Sequence, residues 1–473
     1  LTSEANLFRS DKELIGTDEH KFMGTFYGNG HVISNVSISQ SGTSGVGIFG
    51  VTGNTARILD LGVENATVSG KDYTGVIVGN SAGTITNCYV KGNVNVNGNS
   101  YVGAITGQAT NTIASSYTSG NININGSGYV GGLAGYINNS VRNSFVQDVN
   151  VTSSGGKAGG FTGAFGSTAS YDKISIKGTI NVSGTNCIGG YVGSSDISLS
   201  NLNANVTGTV KAAGGYVGGI AGSINSSRTI SNCNATMSIT GSGGNYVGGI
   251  VGYANSATIS QCSYNGTITA TGTSNVGGIA GVAGTISQSS YNGTITATGT
   301  NSVGGIAGAS ASVITNCTAS GMINASGNCS SIGGIIGYIS RGNVTNCNSN
   351  MNINNSGTGN SIGGLIGQLY SSSIVVSKSY STGNITAANS SYVGGLIGDI
   401  RTNGHITINS CYTTGNVTGS SNVGGFAGRI YADSNNGDSY YQVYIETSFA
   451  SGNVTGSNST YTGGFVGYRL DSS

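Results

Sequence analysis

The chain alternates between apolar and polar residues in short bursts. In 267–271, Thr267, Thr269 and Thr271 fall on one side of an extended backbone, and Ile268 and Ala270 on the other. NVNVNG (93–98), NININGS (121–127), TINVSG (179–184) and INASG (323–327) carry the same pattern. Period-two alternation with one apolar side predicts half-buried strands. Over 247–275, three strand-like pieces follow one another, around VGGIVGY, ATISQCSY and GTITATG. Gly, Asn and Ser separate them and supply turns and positive φ. In the glycine piece Val247 and Ile250 are three apart, which predicts a bend or bulge at the Gly pair.

That glycine piece recurs fifteen times, from GVGIFG (45–50) through VGGIAG (276–281) to TGGFVG (462–467). The last glycines lie 27 to 31 residues apart, except for a final gap of 39. A fixed period of this length marks one unit copied many times. A unit of about 29 residues with three strands cannot bury its apolar side alone, but stacked units can. The pattern predicts an all-β parallel solenoid (β-helix) of about fifteen coils, with three short strands per coil. At ~4.8 Å per coil that stack would be ~70 Å long. Ankyrin- and TPR-type units need a sustained helical period, which is absent, and propellers close at eight blades or fewer as a rule.

Composition sharpens this picture. Of 473 residues 85 are Gly, none is Pro or Trp, and 7% are charged. Gly and Ser richness alone would suit a flexible linker, but 37% hydrophobic residues on a strict period argue against disorder. Proline lacks the N–H that stacked strands need, so a chain paired on both sides has few places for it.

VGGIAG, IGGLIG (362–367) and VGGFAG (423–428) resemble the GLUG motif, Gly-Leu-uncharged-Gly. KFMGTFYGNGHVISNVSI (21–38) resembles the segment that introduces such arrays. TITNCYVKGNV (84–94) and TTGNVTGSSNVGGFAG (413–428) resemble their inter-motif sequence. The resemblance spans about residues 21 to 467, and several copies place Ile, Phe or Tyr at the Leu position. It implies a secreted or surface-exposed β-solenoid of adhesin-like type, in a family that includes regions attached to IgA-specific peptidases. It names no catalytic residues to carry over.

Residues 1–40 read as an N-terminal cap and first partial coil. Eight charged side chains crowd its start, among them Glu4, Arg9, Asp11 and Lys12, and 4–15 is expected as a short helix or edge strand. Residues 41–467 form the solenoid, and 468–473 an incomplete C-terminal tail. A protruding insertion is expected within 429–455, with Tyr431, Asp433, Asp438, Tyr440, Tyr441 and Tyr444 as a candidate contact loop. The chain begins at Leu1 without a signal peptide, as a trimmed piece of a longer precursor would. No run of 18 or more apolar residues is present to span a membrane as a helix.

Six of the eight cysteines share one repeat position: Cys88, Cys233, Cys262, Cys317, Cys347 and Cys411. Ser116, Ser379 and Ser448 occupy it in other copies, which marks a small buried slot. Stacked side chains point the same way, so a reduced ladder is favoured over disulfides. Cys187 and Cys329 lie outside the slot and have no evident partner. Metal and cofactor sites are not expected. There is no C-x-x-C, and His20, His31 and His405 lie far from any cysteine cluster. The run from Asp433 to Asp438 lacks the spacing and distal Glu of a calcium loop.

From Thr229 to Ser340 there is no Asp, Glu, Lys, Arg or His. Those coils can supply neither the paired carboxylates of glycoside hydrolysis nor a general base. The acids of the earlier coils, such as Asp60, Glu64, Asp148, Asp172 and Asp196, are scattered. No catalytic residue is assigned. A net charge of +1 offers no phosphate-binding stripe, so nucleic acid is not an expected partner. Tyr101, Tyr129, Tyr216, Tyr246 and Tyr392 each precede a Val-Gly, a row better suited to corner packing than to ligands. Asn35, Asn205, Asn265, Asn384 and Asn453 head Asn-x-Ser/Thr triplets and are candidate N-glycan acceptors. The expected function is a non-enzymatic extracellular or cell-surface stalk or adhesin, with surface glycans or proteins as partners. The alternatives are a fibre subunit that binds copies of itself and, less favoured, a carbohydrate-active β-helix. An ice-binding reading of the Thr rows ranks low, because only two coils carry them.

Overall fold

A computed structural model describes residues 14–244, 246–310, 312–432, 442–458 and 461–471. Among them every regular element is a strand, repeating in about 14 turns of a parallel β-solenoid at ~29-residue spacing. The chain forms two compact units, Leu1–Asn225 and Ser226–Ser473.

A coil of the second unit shows the plan. Strand Asn275–Gly277 runs in a front sheet, and the chain bends at Gly278 and Ile279. It continues as Ala280–Ser287 in a back sheet, turns a corner at Gln288, and returns as Ser290–Thr298 in the front sheet. The bend therefore falls where the broken alternation predicts it. The piece boundaries differ, however. Val251–Ser260 is one continuous strand across the Asn and Ser that were expected to divide it, and the break falls at Gln261 instead.

Register holds from coil to coil. In the second unit Gly248, Gly277, Gly304, Gly333, Gly363, Gly394, Gly424 and Gly463 pair in succession. In the first unit Gly103, Gly131, Gly159, Gly189 and Gly218 do the same. The apolar residue inside the bend joins the column. Ile279 donates its N–H to Ile306, Ile306 to Ile335 and Ile335 to Leu365, at 2.8–2.9 Å. These side chains are fully buried, as are Ile268, Ile295 and Ile323, which the front strands turn inward. Thr267, Thr269 and Thr271 are exposed beside buried Ile268 and Ala270, as the alternation requires.

Most hexad glycines are needed for close approach and not for positive φ. A Cβ on Gly277 would lie 2.0 Å from the Ala280 carbonyl oxygen, and one on Gly278 would lie 2.1 Å from the Gly305 oxygen. The left-handed positions belong largely to other residues, with Asn and Ser prominent as expected and Asp, Gln and Lys joining them. Asp60, Asn87, Ser115, Asn143, Lys173 and Asn201 turn the corner in the first unit, with φ between 49° and 58°. Gln261, Gln288, Asn316, Asn346, Lys378 and Ser410 do so in the second. Asn and Asp tolerate this region best, and most of these corners keep their N–H in the inter-coil ladder, as in Asn316 to Thr345 at 3.1 Å.

At the start of the first unit, Val32–Ser39 already pairs in parallel with Gly62–Ser69, and Phe22 and Phe26 pack on Phe49. Residues 4–13 of the expected cap lie outside the described residues. In the second unit 468–471 is not a tail. It belongs to strand Val466–Asp471, which pairs with Ala427–Ala432. Within 429–455, where an insertion is expected, the flanking strands Ala427–Ala432 and Gln442–Glu446 both pair with Ile397–Asn409, and residues 433–441 lie outside the described residues.

Candidate interaction surfaces

The front strands turn amides and hydroxyls outward, and identical side chains one coil apart bond along the stack. Asn121, Asn123 and Asn125 donate Nδ2–H to Asn93, Asn95 and Asn97 at 3.1–3.4 Å. Asn150 donates to Asn123 at 3.0 Å, and Asn181 to Asn150 at 2.9 Å. These ladders satisfy polar groups without charge; Asn123 also donates to Asn121 within its own strand, at 3.4 Å.

The candidate glycan acceptors Asn35, Asn205, Asn265, Asn384 and Asn453 are all exposed. Asn384 and Asn453 belong to one column. The Asn384 backbone N–H donates to Asn352 Oδ1, Asn416 donates to Asn384, and Asn453 donates to Asn416, at 2.9–3.0 Å. Only Oδ1 is engaged in these bonds.

Of the candidate contact loop, the structure places Tyr431 and Tyr444 in the two back-sheet strands that pair with Ile397–Asn409. Tyr444 is exposed, hydrogen-bonds Gln442, and lies 6.4 Å from the His405 ring. Asp433, Asp438, Tyr440 and Tyr441 lie outside the described residues.

Beside Tyr431 stands a charged cluster that the sequence reading missed. Asp399 is fully buried, and Arg429 holds it in a fork, Nε to Oδ1 and Nη2 to Oδ2, both at 2.8 Å. Arg401 Nε adds a contact at 2.8 Å and Gln368 Nε2 one at 3.3 Å. The Arg429 guanidinium lies 3.7 Å from the centre of the Tyr392 ring; burial works to lower its pKa, but the bonds and charge of Asp399, with Tyr392 and Tyr431, raise it overall. The signal was available: Gln368, Asp399 and Arg429 each directly follow the last glycine of a hexad, so one column had to contain them.

The tyrosine row is a packed edge. Tyr73, Tyr101 and Tyr129 stack at 4.9 and 5.0 Å with nearly parallel planes, and Lys157 covers Tyr129. A second ladder, Tyr89–Tyr117–Phe145, ends under Lys177, and a third runs Tyr380–Tyr412–Phe449. The inner rings of these ladders have both faces covered by neighbouring rings.

All eight cysteines are buried free thiols. In the slot each sulfur donates to the carbonyl two residues earlier, as Cys262 does to Ser260 at 3.2 Å. Serine does the same, as Ser289 does to Ser287 at 2.8 Å, and its oxygen accepts the N–H of Cys262. Cys187 contacts Ser223, and Cys329 contacts Thr300 and Ser326. Burial pushes the Cys88 thiol from 9.0 up to about 11. Cys262 and Cys347 are raised further, by bonding to the neighbouring cysteine and by burial. Thiol reagents are therefore expected to modify none of the eight in the folded protein and all eight after denaturation. Because the folded Cys88 thiol holds its proton more tightly, its contribution to stability is complete below pH ~9 and is lost as pH rises towards ~11. Denaturation midpoints measured across that range check the sign.

The acids of the first unit occupy separate columns with their own partners. Asp60 accepts from Asn87 at 2.6 Å, Glu64 meets Lys91 at 3.8 Å, and Asp148 accepts the Thr179 N–H at 2.7 Å. Among the described residues no three His, Cys, Asp or Glu side chains gather as metal ligands. No helix there is long and apolar enough to cross a membrane.

No family model matches the chain. A stretch of 79 residues, 17% of the chain, is 46% identical to halomucin of Haloquadratum walsbyi (strain DSM 16790 / HBSQ001). It spans 1% of halomucin's own length. The crystal structure of a candidate immunoglobulin A1 protease from Bacteroides ovatus aligns over 53% of this chain and 76% of its own, at 19% identity and a TM-score of 0.29.

Proposed function

We propose that this chain is a non-enzymatic extracellular or cell-surface protein of the GLUG-repeat type, acting as a stalk or adhesin. The observation that carries this reading is the exterior of the front sheet. It presents amides and hydroxyls in register from coil to coil, and these ladders stabilise a stack without needing charge or a cofactor. The dispersal of the acids into separate, already bonded positions supports a presenting role over turnover. The segment similar to halomucin supports the same setting.

The test is antibody labelling of intact producing cells, followed by external protease. Labelling without permeabilisation, removed by the protease, is the expected result. Labelling that requires permeabilisation overturns the reading.

A further inference from the structure

One column of the front sheet in the first unit breaks its own rule. At the bulge position the successive residues are Asn65, Gly92, Gly120, Asp148 and Gly178, all with positive φ. Glycines stand on both sides of Asp148; its carboxylate lies over Gly178, and a dent of about 320 Å³ opens beside it. Gly120, Asn121, Asp148, Asn150, Thr179 and Asn181 line it.

The valences left in the dent define what it takes. Asp148 Oδ1 accepts the Thr179 N–H at 2.7 Å, and Oδ2 accepts Gln147 Nε2 at 3.1 Å, so each oxygen retains a lone pair. Asn150 and Asn181 each spend one Nδ2–H on the ladder, at 3.0 and 2.9 Å, and keep another. The lining is thus one carboxylate among uncharged amides and a hydroxyl. An anionic ligand would meet the charge of Asp148. A calcium ion wants six to eight oxygens, and here one carboxylate with two hydrogen bonds already made is the only charged group. A glycosidase would need a second carboxylate across the cleft, and the lining holds none. Neutral vicinal hydroxyls, which both donate and accept, match the set.

We propose that this dent binds a neutral saccharide. The proposal deepens the surface reading above and rests on it for the setting in which such a ligand is met. Asp148 accepts from sugar hydroxyls, and the amides of Asn150 and Asn181 donate to them. The dent is shallow, so a single sugar is held with a Kd on the order of 1 mM. Repeated presentation of the ligand raises the avidity.

The test begins with the whole chain on an array of neutral oligosaccharides of glucose, mannose, galactose and N-acetylglucosamine. NMR titration of the best binder follows, with and without EDTA. The informative variant is Asp148→Asn. Asn65 occupies the same column and accepts the Asn93 N–H through its Oδ1 at 3.0 Å, so Asn at 148 keeps the backbone bond and the fold. Binding that survives EDTA and weakens at least about tenfold in D148N, with melting unchanged, is the expected result. Binding to no sugar, equal binding by D148N, or loss of binding in EDTA each overturns the proposal, and none of them touches the cell-labelling result. Failed surface labelling with saccharide binding intact overturns the surface reading alone.

Discussion

Gly278→Ala is expected to lower stability by at least ~4 kcal/mol or to abolish folding of the second unit. Its Cβ would sit 2.1 Å from the Gly305 oxygen and 2.3 Å from Cγ of the fully buried Tyr291 ring. Neither neighbour can yield: the oxygen belongs to a bend paired on both sides, and the ring fills the core. Separating the coils there would break the N–H bonds from Gly278 to Gly304 and from Ile279 to Ile306, at 3.1 and 2.9 Å. Gly464 provides the control. It occupies the same hexad position, yet a Cβ there meets nothing within 4 Å. Gly464→Ala is expected to shift stability by less than ~0.5 kcal/mol. Denaturant midpoints of the two variants decide the matter. Equal effects would mean that motif identity, and not the approach of the next coil, sets the cost.

Asp399→Ala is expected to cost ~3–5 kcal/mol, the next largest effect. The deletion leaves the Arg429 guanidinium, whose side chain is 14% exposed, without its carboxylate. Arg401 contacts the same oxygen but is 42% exposed, so Arg401→Ala is expected to cost less than ~1 kcal/mol. A double variant with Gln at both 399 and 429 should recover most of the loss, since Gln368 already occupies this column one coil earlier. Thermal denaturation of the three variants tests the order. A D399A loss below that of R401A would contradict the buried fork as the anchor of this part of the back sheet.

Much of the fold could be read from the chain because a solenoid turns sequence period directly into spatial register. The alternation at 267–271 identified the inward and outward sides, and the hexads identified which residues stack. The corner was hidden for a physical reason. A single left-handed residue has no periodic signature, and Asn87, Gln288, Lys378 and Ser410 fill it with four different side chains. The Asn that recurs before Cys at 87, 232, 316 and 346 was the available hint. The ends were hard for a related reason. Residues 468–471 follow the last hexad with Arg469 and Asp471 and no run of apolar alternation, so that part of strand Val466–Asp471 reads as a tail.

The candidate surfaces were only partly legible. The exposed Asn and Thr rows follow from alternation alone. The charged fork and the dent at Asp148 each depend on three successive coils, so neither stands out in any one repeat. Counting positions from the hexad or from the bulge glycine brings both into view: Gln368–Asp399–Arg429 in one case, Gly120–Asp148–Gly178 in the other.

A crystal structure of the second unit within the full chain tests the central claim most directly, through the Cα separations of Gly277, Gly304, Gly333 and Gly363. Steps of ~4.8 Å along a single line are predicted. Separations well beyond that spacing, or glycines spread around the coil, would contradict a stacked column.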